Sequence, residues 1–153
     1  PIEVNDNKKT LEEKLTKKSI VIIENDLKNI FNKKLIPKEQ DQKQVQYCSK
    51  ITKLSGRVEF TKETSESIIK KFNAFYGWPG IFFERNNIAI KIHGIEPLDK
   101  FSNIKFSKDI KLLPSGLAFK TKDKPIVITR LQFPGKQIIS SKDAINSYAE
   151  FFK

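Results

Sequence analysis

Residues 73–83 read Asn-Ala-Phe-Tyr-Gly-Trp-Pro-Gly-Ile-Phe-Phe, and this stretch decides the fold more than any other. Pro79 fixes φ and lacks an amide donor, while Gly77 and Gly80 permit backbone angles that are closed to other residues. A helical pattern precedes the stretch, and an apolar strand pattern follows it. The sequence therefore predicts one sharp reversal from helix to strand, with Trp78, the only tryptophan, as a plug in the core.

Two helices are predicted around this reversal in the second part of the chain. The first is capped by Thr64, and one of its faces is apolar, with Ile68, Phe72 and Phe75. The second is capped by Ser141 near the carboxyl end, and its buried side is expected to carry Ala144, Ile145, Tyr148 and Phe151.

Short strands make up most of the rest. Ile81–Arg85 and Ile88–Ile92 are predicted to form a hairpin, because the intervening pair, Asn86 and Asn87, tolerates positive φ. Further strands are expected at residues 57–60, 110–113, 116–121 and 126–131. Five or six short strands, with one helix inserted early and one at the end, predict a mainly β fold with helices: a small closed or partly open barrel.

The amino-terminal part differs in pattern. Thr10-Leu11-Glu12-Glu13 has the form of a capping box, so a helix is predicted to start there, with a possible break near Lys17-Lys18-Ser19. Residues 35–46 have little apolar content and suit an exposed linker. The expected organisation is a helical segment at 1–34, a linker at 35–46 and a β-barrel domain at 47–153. Because the chain contains no methionine, we interpret Pro1 as an internal point of a longer protein.

The positive charge is concentrated in the second part. The formal net charge is +11; residues 1–47 contribute 10 basic and 8 acidic groups, which leaves +9 for residues 48–153. Such an asymmetry favours a polyanionic partner, most simply nucleic acid, although a lysine-rich solvated surface would have the same composition. No apolar run approaches the ~20 residues needed to span a bilayer. The one cysteine, Cys48, is expected to be buried in a protein of the reducing cytoplasm.

Catalytic chemistry finds little support in the sequence. His93 is the only histidine, and its place on the outward face of a predicted strand favours a half-exposed residue without a catalytic role. The acidic residues lie near lysines and suit solvated ion pairs. The chain has no glycine-rich phosphate loop and no metal-ligand spacing. We therefore assign no catalytic and no metal-binding residue.

Basic side chains on the predicted barrel are the candidate binding residues. Positive charge gathered on one face gains affinity for phosphates by releasing condensed counterions, without any particular base contact. Each cation alone is more simply a solvated side chain, but together they favour a surface that faces RNA. The set is Lys50, Lys53, Arg57, Lys70, Lys71, Arg85, Lys91 and Lys136.

Several blocks of this chain, in order, resemble the carboxyl-terminal domain of the methionyl-tRNA formyltransferase family. The first is Tyr47-Cys48-Ser49-Lys50-Ile51-Thr52-Lys53 with Gly56-Arg57-Val58-Glu59-Phe60, and the second is the Trp-Pro-Gly stretch. The others are the strand at 88–92 and Leu131-Gln132-Phe133-Pro134-Gly135-Lys136 with the Ser-Ser-Lys-Asp segment at 140–143. The resemblance spans essentially the whole chain.

This resemblance implies a fold and a function. The fold would be an oligonucleotide-binding-like barrel. The parent protein would transfer a formyl group from 10-formyltetrahydrofolate to initiator methionyl-tRNA, and this part would grip the acceptor arm of the tRNA. No position matches the family's catalytic set, so the resemblance implies a missing amino-terminal catalytic domain, an inactive fragment and no cofactor bound by it.

Two other interpretations stay open at this point. The chain could be the accessory barrel of a sugar-amine N-formyltransferase, a class with related Trp-Pro-Gly signatures. It could also be a free-standing RNA-binding or protein-interaction module.

Overall fold

The computed structural model describes residues 1–96, 104–106 and 108–152. The chain divides into two compact units, Pro1–Ile51 and Thr52–Lys153. Each unit is described by itself below.

The first unit is built on one long helix, α1 (Lys8–Phe31). Its N-cap is Asn7, whose Oδ1 accepts from the Thr10 amide at 3.1 Å, while the Thr10 hydroxyl accepts from the Asn7 amide at 3.0 Å. The prediction that Thr10 is the N-cap was therefore wrong. Thr10 is the third helical residue of the capping box, because Asn7 has the extended backbone that an N-cap needs.

The predicted break near Lys17–Ser19 was also wrong, since α1 is continuous. The hydroxyls of Thr16 and Ser19 donate to the carbonyl oxygens four residues earlier, at 2.8 and 2.9 Å, so these polar residues are accommodated within the helix. No residue of α1 is buried. A short 3₁₀ helix, Gln42–Gln44, is the other helical element of this unit.

The residues before α1 are held by one lysine. Lys14 Nζ lies 3.0 Å from Glu3 Oε2 and 2.8 Å from Asp6 Oδ1. The hydrogen bond from Lys14, together with the bond from the Glu3 amide, lowers the pKa of Asp6 to about 2. This bonding draws the amino-terminal residues back against the first turns of α1.

The second unit is a six-stranded antiparallel sheet with helices. The strands run in the order β1-β2-β5-β4-β3, and β6 pairs with β5 beyond the end of β4. They are β1 (Ile81–Arg85), β2 (Ile88–Glu96), β3 (Ile110–Leu113), β4 (Gly116–Phe119), β5 (Ile126–Gln132) and β6 (Ile139–Ser140). The helices are α2 (Ser65–Ala74), α3 (Ser141–Ser147) and α4 (Ala149–Phe152). The predicted mainly β fold with an inserted helix and a carboxyl-terminal helical part is confirmed.

The predicted hairpin is present, and its turn works as expected. Asn86 and Asn87 adopt φ values of 50° and 61°, which asparagine tolerates better than most residues. Ile81 lies opposite Ile92 and Phe83 opposite Ile90, and all four side chains are buried. The alternation along both strands therefore separates an inner apolar face from an outer polar one.

The sheet curls on itself around aromatic residues. Phe83 of β1 and Phe119 of β4 have ring centroids 5.0 Å apart, although β2 and β5 separate their strands in the sheet. Phe60 lies 5.4 Å from Phe83 and 4.3 Å from Phe119, so it fills the space between them. A cleft of about 280 Å³, lined among others by Glu84 and Ile110, separates β1 from β3. In the part of the chain that the structure describes, the barrel is thus open at this seam.

The strand predicted at 57–60 reduces to one parallel bridge between Arg57 and Phe82. The Val58 amide donates to the Phe82 oxygen at 2.8 Å, but the Lys62 and Glu63 amides both return to the Glu59 oxygen. The segment therefore turns before a ladder can form, and that part of the prediction was wrong. A 3₁₀ helix, Lys53–Gly56, leads into it.

The carboxyl-terminal helical part begins one residue earlier than predicted. Ser140 is the N-cap of α3, and its hydroxyl accepts from the Asp143 amide at 3.1 Å. Ser141 is fully buried instead, and its hydroxyl donates to the Ile128 oxygen at 2.6 Å. The sequence did not indicate β6, because two residues are too few to establish an alternation.

Two burial predictions were wrong. Trp78 is 52% exposed, so it is not a core plug, and Cys48 is exposed. The reversal itself is confirmed: α2 ends at Ala74, the Gly80 amide donates to the Phe75 oxygen, and β1 starts at Ile81. Phe75 and Ile81 pack in or against the core there, so the Trp78 ring remains at the surface.

Asp123 ties α2 to the turn between β4 and β5. Its Oδ1 accepts from the Ser65 amide at 2.7 Å, and its Oδ2 accepts from the Ser65 hydroxyl at 3.2 Å. The Thr121 hydroxyl donates to Oδ1 at 2.9 Å. Led by the Ser65 amide, these donors hold the pKa of Asp123 well below its ordinary value. The carboxylate also lies at the amino end of α2, where the helix dipole favours negative charge.

We expect Asp123→Asn to lower the thermal midpoint at pH 7, because the charged form is the one that the Ser65 donors stabilise. A lowered native pKa contributes stability above the unfolded value, and this contribution is lost as pH falls below about 3.8. The difference between wild type and variant should therefore shrink as pH is lowered from 4 toward 2. Thermal unfolding followed by circular dichroism at each pH measures it; a pH-independent difference would contradict the assignment.

Candidate nucleic-acid interface

Three of the eight candidate cations form ion pairs. Arg57 Nη2 lies 2.9 Å from Glu84 Oε2, and Lys70 Nζ lies 2.7 Å from Glu66 Oε1. Lys71 Nζ lies 2.6 Å from Glu63 Oε2 and also donates to the Arg57 oxygen at 3.0 Å. A carboxylate beside each of these groups reduces the positive potential that they present to a phosphate.

Arg85 has a contact of another kind. It closes β1, and its Nε donates to the Phe151 oxygen at 2.7 Å. The bond joins two segments that are 66 residues apart in sequence. Its visible role is to hold α4 against the end of β1.

The remaining four candidates are exposed lysines, for which no ion pair is seen within residues 1–96, 104–106 and 108–152: Lys50, Lys53, Lys91 and Lys136. Lys50 belongs to the first unit and the other three to the second. Lys53 starts a 3₁₀ helix, and Lys136 follows the turn at Gly135.

Lys91 and Lys136 lie near one glutamine on the outer face of the sheet. Lys91 of β2 is directly opposite Gln132 of β5. Gln132 Nε2 donates to the Lys136 oxygen at 2.8 Å, and Gln132 Oε1 lies 3.1 Å from Nε2 of His93. Arg130, two residues before Gln132, is also exposed on this face. We call Lys91, His93, Arg130, Gln132 and Lys136 the Gln132 cluster.

Sequence reasoning named only the two lysines of this cluster as binding residues. Arg130 could have been found because it and Gln132 flank the buried Leu131 at alternate positions of β5. The contact between His93 and Gln132 had no local signal, because it joins residues that are 39 positions apart. His93 was expected to be a half-exposed residue on the outward face of a strand; it lies on that face of β2 and is exposed.

Metal binding and membrane insertion were also considered for the described part of the chain. No group of three or more histidine, cysteine, aspartate or glutamate side chains there could hold a metal ion. None of the helices that the structure describes is long and apolar enough to cross a membrane. The class defined by these observations is a small, basic β domain with flanking helices.

Comparison with known proteins gives the family. Residues 50–149 match the model described as "Formyl transferase, C-terminal domain". The chain belongs to this family. It is 32% identical over 149 residues to a methionyl-tRNA formyltransferase of Caldicellulosiruptor saccharolyticus, covering 96% of this chain and 47% of that protein. It is 33% identical over 145 residues to a methionyl-tRNA formyltransferase of Francisella philomiragia, covering 95% of this chain and 45% of that protein.

The chain thus spans about half the length of these curated relatives. Among solved structures, a variant of HypX from Aquifex aeolicus superposes with a TM-score of 0.68 at 15% identity, covering 98% of this chain and 27% of that one. At that identity the likeness concerns the fold alone.

Proposed function

We propose that this chain is the tRNA-binding carboxyl-terminal part of a methionyl-tRNA formyltransferase. The single observation that carries the proposal is the match of residues 50–149 to the family, joined to relatives of that name over nearly the whole chain. The net charge of +9 on residues 48–153 supports an RNA partner. In this proposal the partner is initiator methionyl-tRNA, bound at its acceptor arm.

The proposed mechanism is electrostatic docking. The lysines for which the described residues provide no carboxylate partner neutralise phosphates and release the counterions condensed on them; they are Lys50, Lys53, Lys91 and Lys136. The other four candidates add to the positive potential, and their ion pairs and hydrogen bonds hold the surface elements in place: Arg57, Lys70, Lys71 and Arg85. Binding of this kind positions the tRNA without reading its bases.

The formyl transfer itself is proposed for the part of the parent protein outside this chain. That part would hold 10-formyltetrahydrofolate and the catalytic residues, and the chain alone would be inactive. In the proposed organisation, residues 1–34 are the helical end of the catalytic domain, 35–46 a linker and 47–153 the tRNA-binding domain, all in the cytoplasm.

The exposed apolar side chains of α1 support this division. Leu15, Ile22 and Leu27 are 54%, 58% and 45% exposed, and no residue of the helix is buried. Apolar area of this extent is stabilised when a partner surface covers it. In the full parent protein, α1 amides should therefore exchange with solvent more slowly than in the isolated chain; equal rates would argue against the division.

Titration with initiator tRNA at several salt concentrations tests the function. We expect binding at 50 mM salt that weakens steeply toward 200 mM, because each neutralised phosphate contributes about −0.7 to −0.9 to the slope of log Kobs against log salt. The same tRNA, charged and supplied with 10-formyltetrahydrofolate, should stay unformylated with this chain alone. Absence of binding at low salt, or an affinity indifferent to salt, would refute the proposal.

A further inference from the structure

The outer face of β2 and β5 contains a local irregularity at the Gln132 cluster. Ile92 lies opposite Leu131, and Gly94 lies opposite Arg130, so His93 is an extra residue in β2; the next pair, Ile95 with Ile128, leaves Thr129 as an extra residue in β5. Such a β-bulge redirects a side chain, and bulges are frequent beside functional sites. Here the bulged residue is His93, whose ring nitrogen lies 3.1 Å from Gln132 Oε1.

Gly94 allows this bulge to close. A Cβ at Gly94 would lie 2.5 Å from Thr129 Oγ1 and 3.3 Å from Arg130 Cβ. A side chain at this position would require the Thr129 hydroxyl to move and Arg130 to shift by a few tenths of an ångström. The irregularity brings Arg130 next to the bulged His93.

Gln132 organises the groups around it by hydrogen bonds. Because its amide nitrogen donates to the Lys136 oxygen, its carbonyl oxygen faces His93 and accepts from Nε2. The Lys136 amide in turn donates to the Phe133 oxygen, which closes the turn that carries Lys136. The backbone of Lys136 is thus held close to the strand residue that faces Lys91.

Three cations lie near one another as a result. Residues directly opposite in an antiparallel pair have Cβ atoms about 5 Å apart, and diagonal neighbours about 7–8 Å. Lys91 is opposite Gln132 and diagonal to Arg130. Glu84, an acidic residue on the same face of β1, is already engaged by Arg57 at 2.9 Å. Within the described residues no ion pair neutralises Lys91, Arg130 or Lys136.

We infer that the Gln132 cluster is a binding point for the sugar-phosphate backbone of RNA. Lys91, Arg130 and Lys136 contact phosphates, while His93 and Gln132 fix the spacing of these cations. The inference rests on the proposed function, in which the partner is tRNA, and adds the face that binds it. All five members of the cluster are charged or hydrogen-bonding side chains, which suits a phosphate backbone rather than the core of a protein interface.

A triple substitution with a matched control tests the inference. The test protein carries Lys91→Ala, Arg130→Ala and Lys136→Ala. The control carries Lys120→Ala, Lys122→Ala and Lys124→Ala, which remove three exposed lysines near the turn at the opposite end of β5, none of them in an ion pair within the described residues. Anisotropy titrations of labelled initiator tRNA transcript are run for wild type and both variants between 50 and 200 mM salt. Circular dichroism confirms that each variant is folded.

We expect the test variant to bind about ten- to a hundredfold more weakly at 50 mM salt, with a salt slope smaller by about 2 to 3, because three phosphate contacts are lost. The control should change affinity by about twofold or less, since screening weakens charges far from the bound phosphates. Equal losses in both variants would overturn the inference. Absence of binding by the wild type would instead refute the proposed function.

A substitution at the uncharged residue Gln132 provides a second, independent test of the inference. Gln132→Glu preserves size but places a carboxylate in the middle of the cluster, and it should lower tRNA affinity by about tenfold. Thr61→Glu adds the same charge at an exposed position outside the cluster and should have a much smaller effect. If the two substitutions weaken binding equally, only the net charge matters and the assignment of this face is wrong.

Discussion

Gly56→Ala is expected to destabilise the second unit by at least about 3 kcal/mol, the upper part of the range for overpacked positions. Gly56 is buried, and a Cβ there would overlap the backbone oxygen of Gly80. Neither side can yield easily. The following Val58 amide is bonded to Phe82 at 2.8 Å, and the Gly80 amide is bonded to Phe75 at 3.0 Å.

Gly135→Ala is the matched control for this substitution. Gly135 has a positive φ of 67°, but a Cβ there would meet nothing within 4 Å. The cost should be about 1 kcal/mol, which is that of the left-handed backbone alone. Urea unfolding followed by circular dichroism measures both variants. Equal losses would mean that the segment at Gly56 moves freely away from the Trp-Pro-Gly junction.

Phe119→Ala should cost about 3–5 kcal/mol of unfolding free energy, as large-to-small core substitutions of phenylalanine do. Phe119 is 3% exposed, and its ring centroid lies 4.3 Å from that of Phe60 and 5.0 Å from that of Phe83. Removing the ring leaves a cavity where the curled sheet faces itself. The remaining two rings would lose the contact that holds Phe60 across the open seam.

Phe31→Ala is the matched control, because it removes the same side-chain atoms at an exposed position. Phe31 closes α1 in the first unit and is 77% exposed, so Phe31→Ala should change unfolding free energy by no more than about 0.5 kcal/mol. Denaturant titration of both variants gives the comparison. A Phe119→Ala protein within about 1 kcal/mol of wild type would contradict the proposed core, because that difference is comparable to the error of such measurements.

Patterns between neighbouring residues were predicted well. The hairpin at Asn86-Asn87 depends on φ tolerance, the N-cap at Thr64 on a side-chain cap, and the strand predicted at 126–131, which extends to Gln132, on periodicity. Where two neighbouring residues could each be the N-cap of a helix, the prediction from local sequence chose the wrong one: Thr10 instead of Asn7 for α1, and Ser141 instead of Ser140 for α3. Ser140 caps α3, because Ser141 is drawn into the core by the Ile128 oxygen, which is distant in sequence.

Burial and pairing were predicted less well. Trp78 is a large aromatic residue of the kind that is often buried in a core. At the junction, however, Phe75 and Ile81 pack in or against the core, and the Trp78 side chain is 52% exposed. All eight candidate cations have the same appearance in the sequence. Which of them face a carboxylate depends on contacts such as Arg57 with Glu84, which only folding creates.

The sequence by itself determined the helix-to-strand reversal, the hairpin, the inserted helix and the positive charge of residues 48–153, because each depends on residues close together in the chain or on composition alone. The tertiary structure decided which rings form the core, which cations are neutralised, and that Lys91, His93 and Lys136 meet around Gln132. The physical reason is register: the pairing of β2 with β5, including its irregularity around Gly94, sets which side chains of the two strands lie opposite each other, and it brings Gln132 to His93 from 39 positions away.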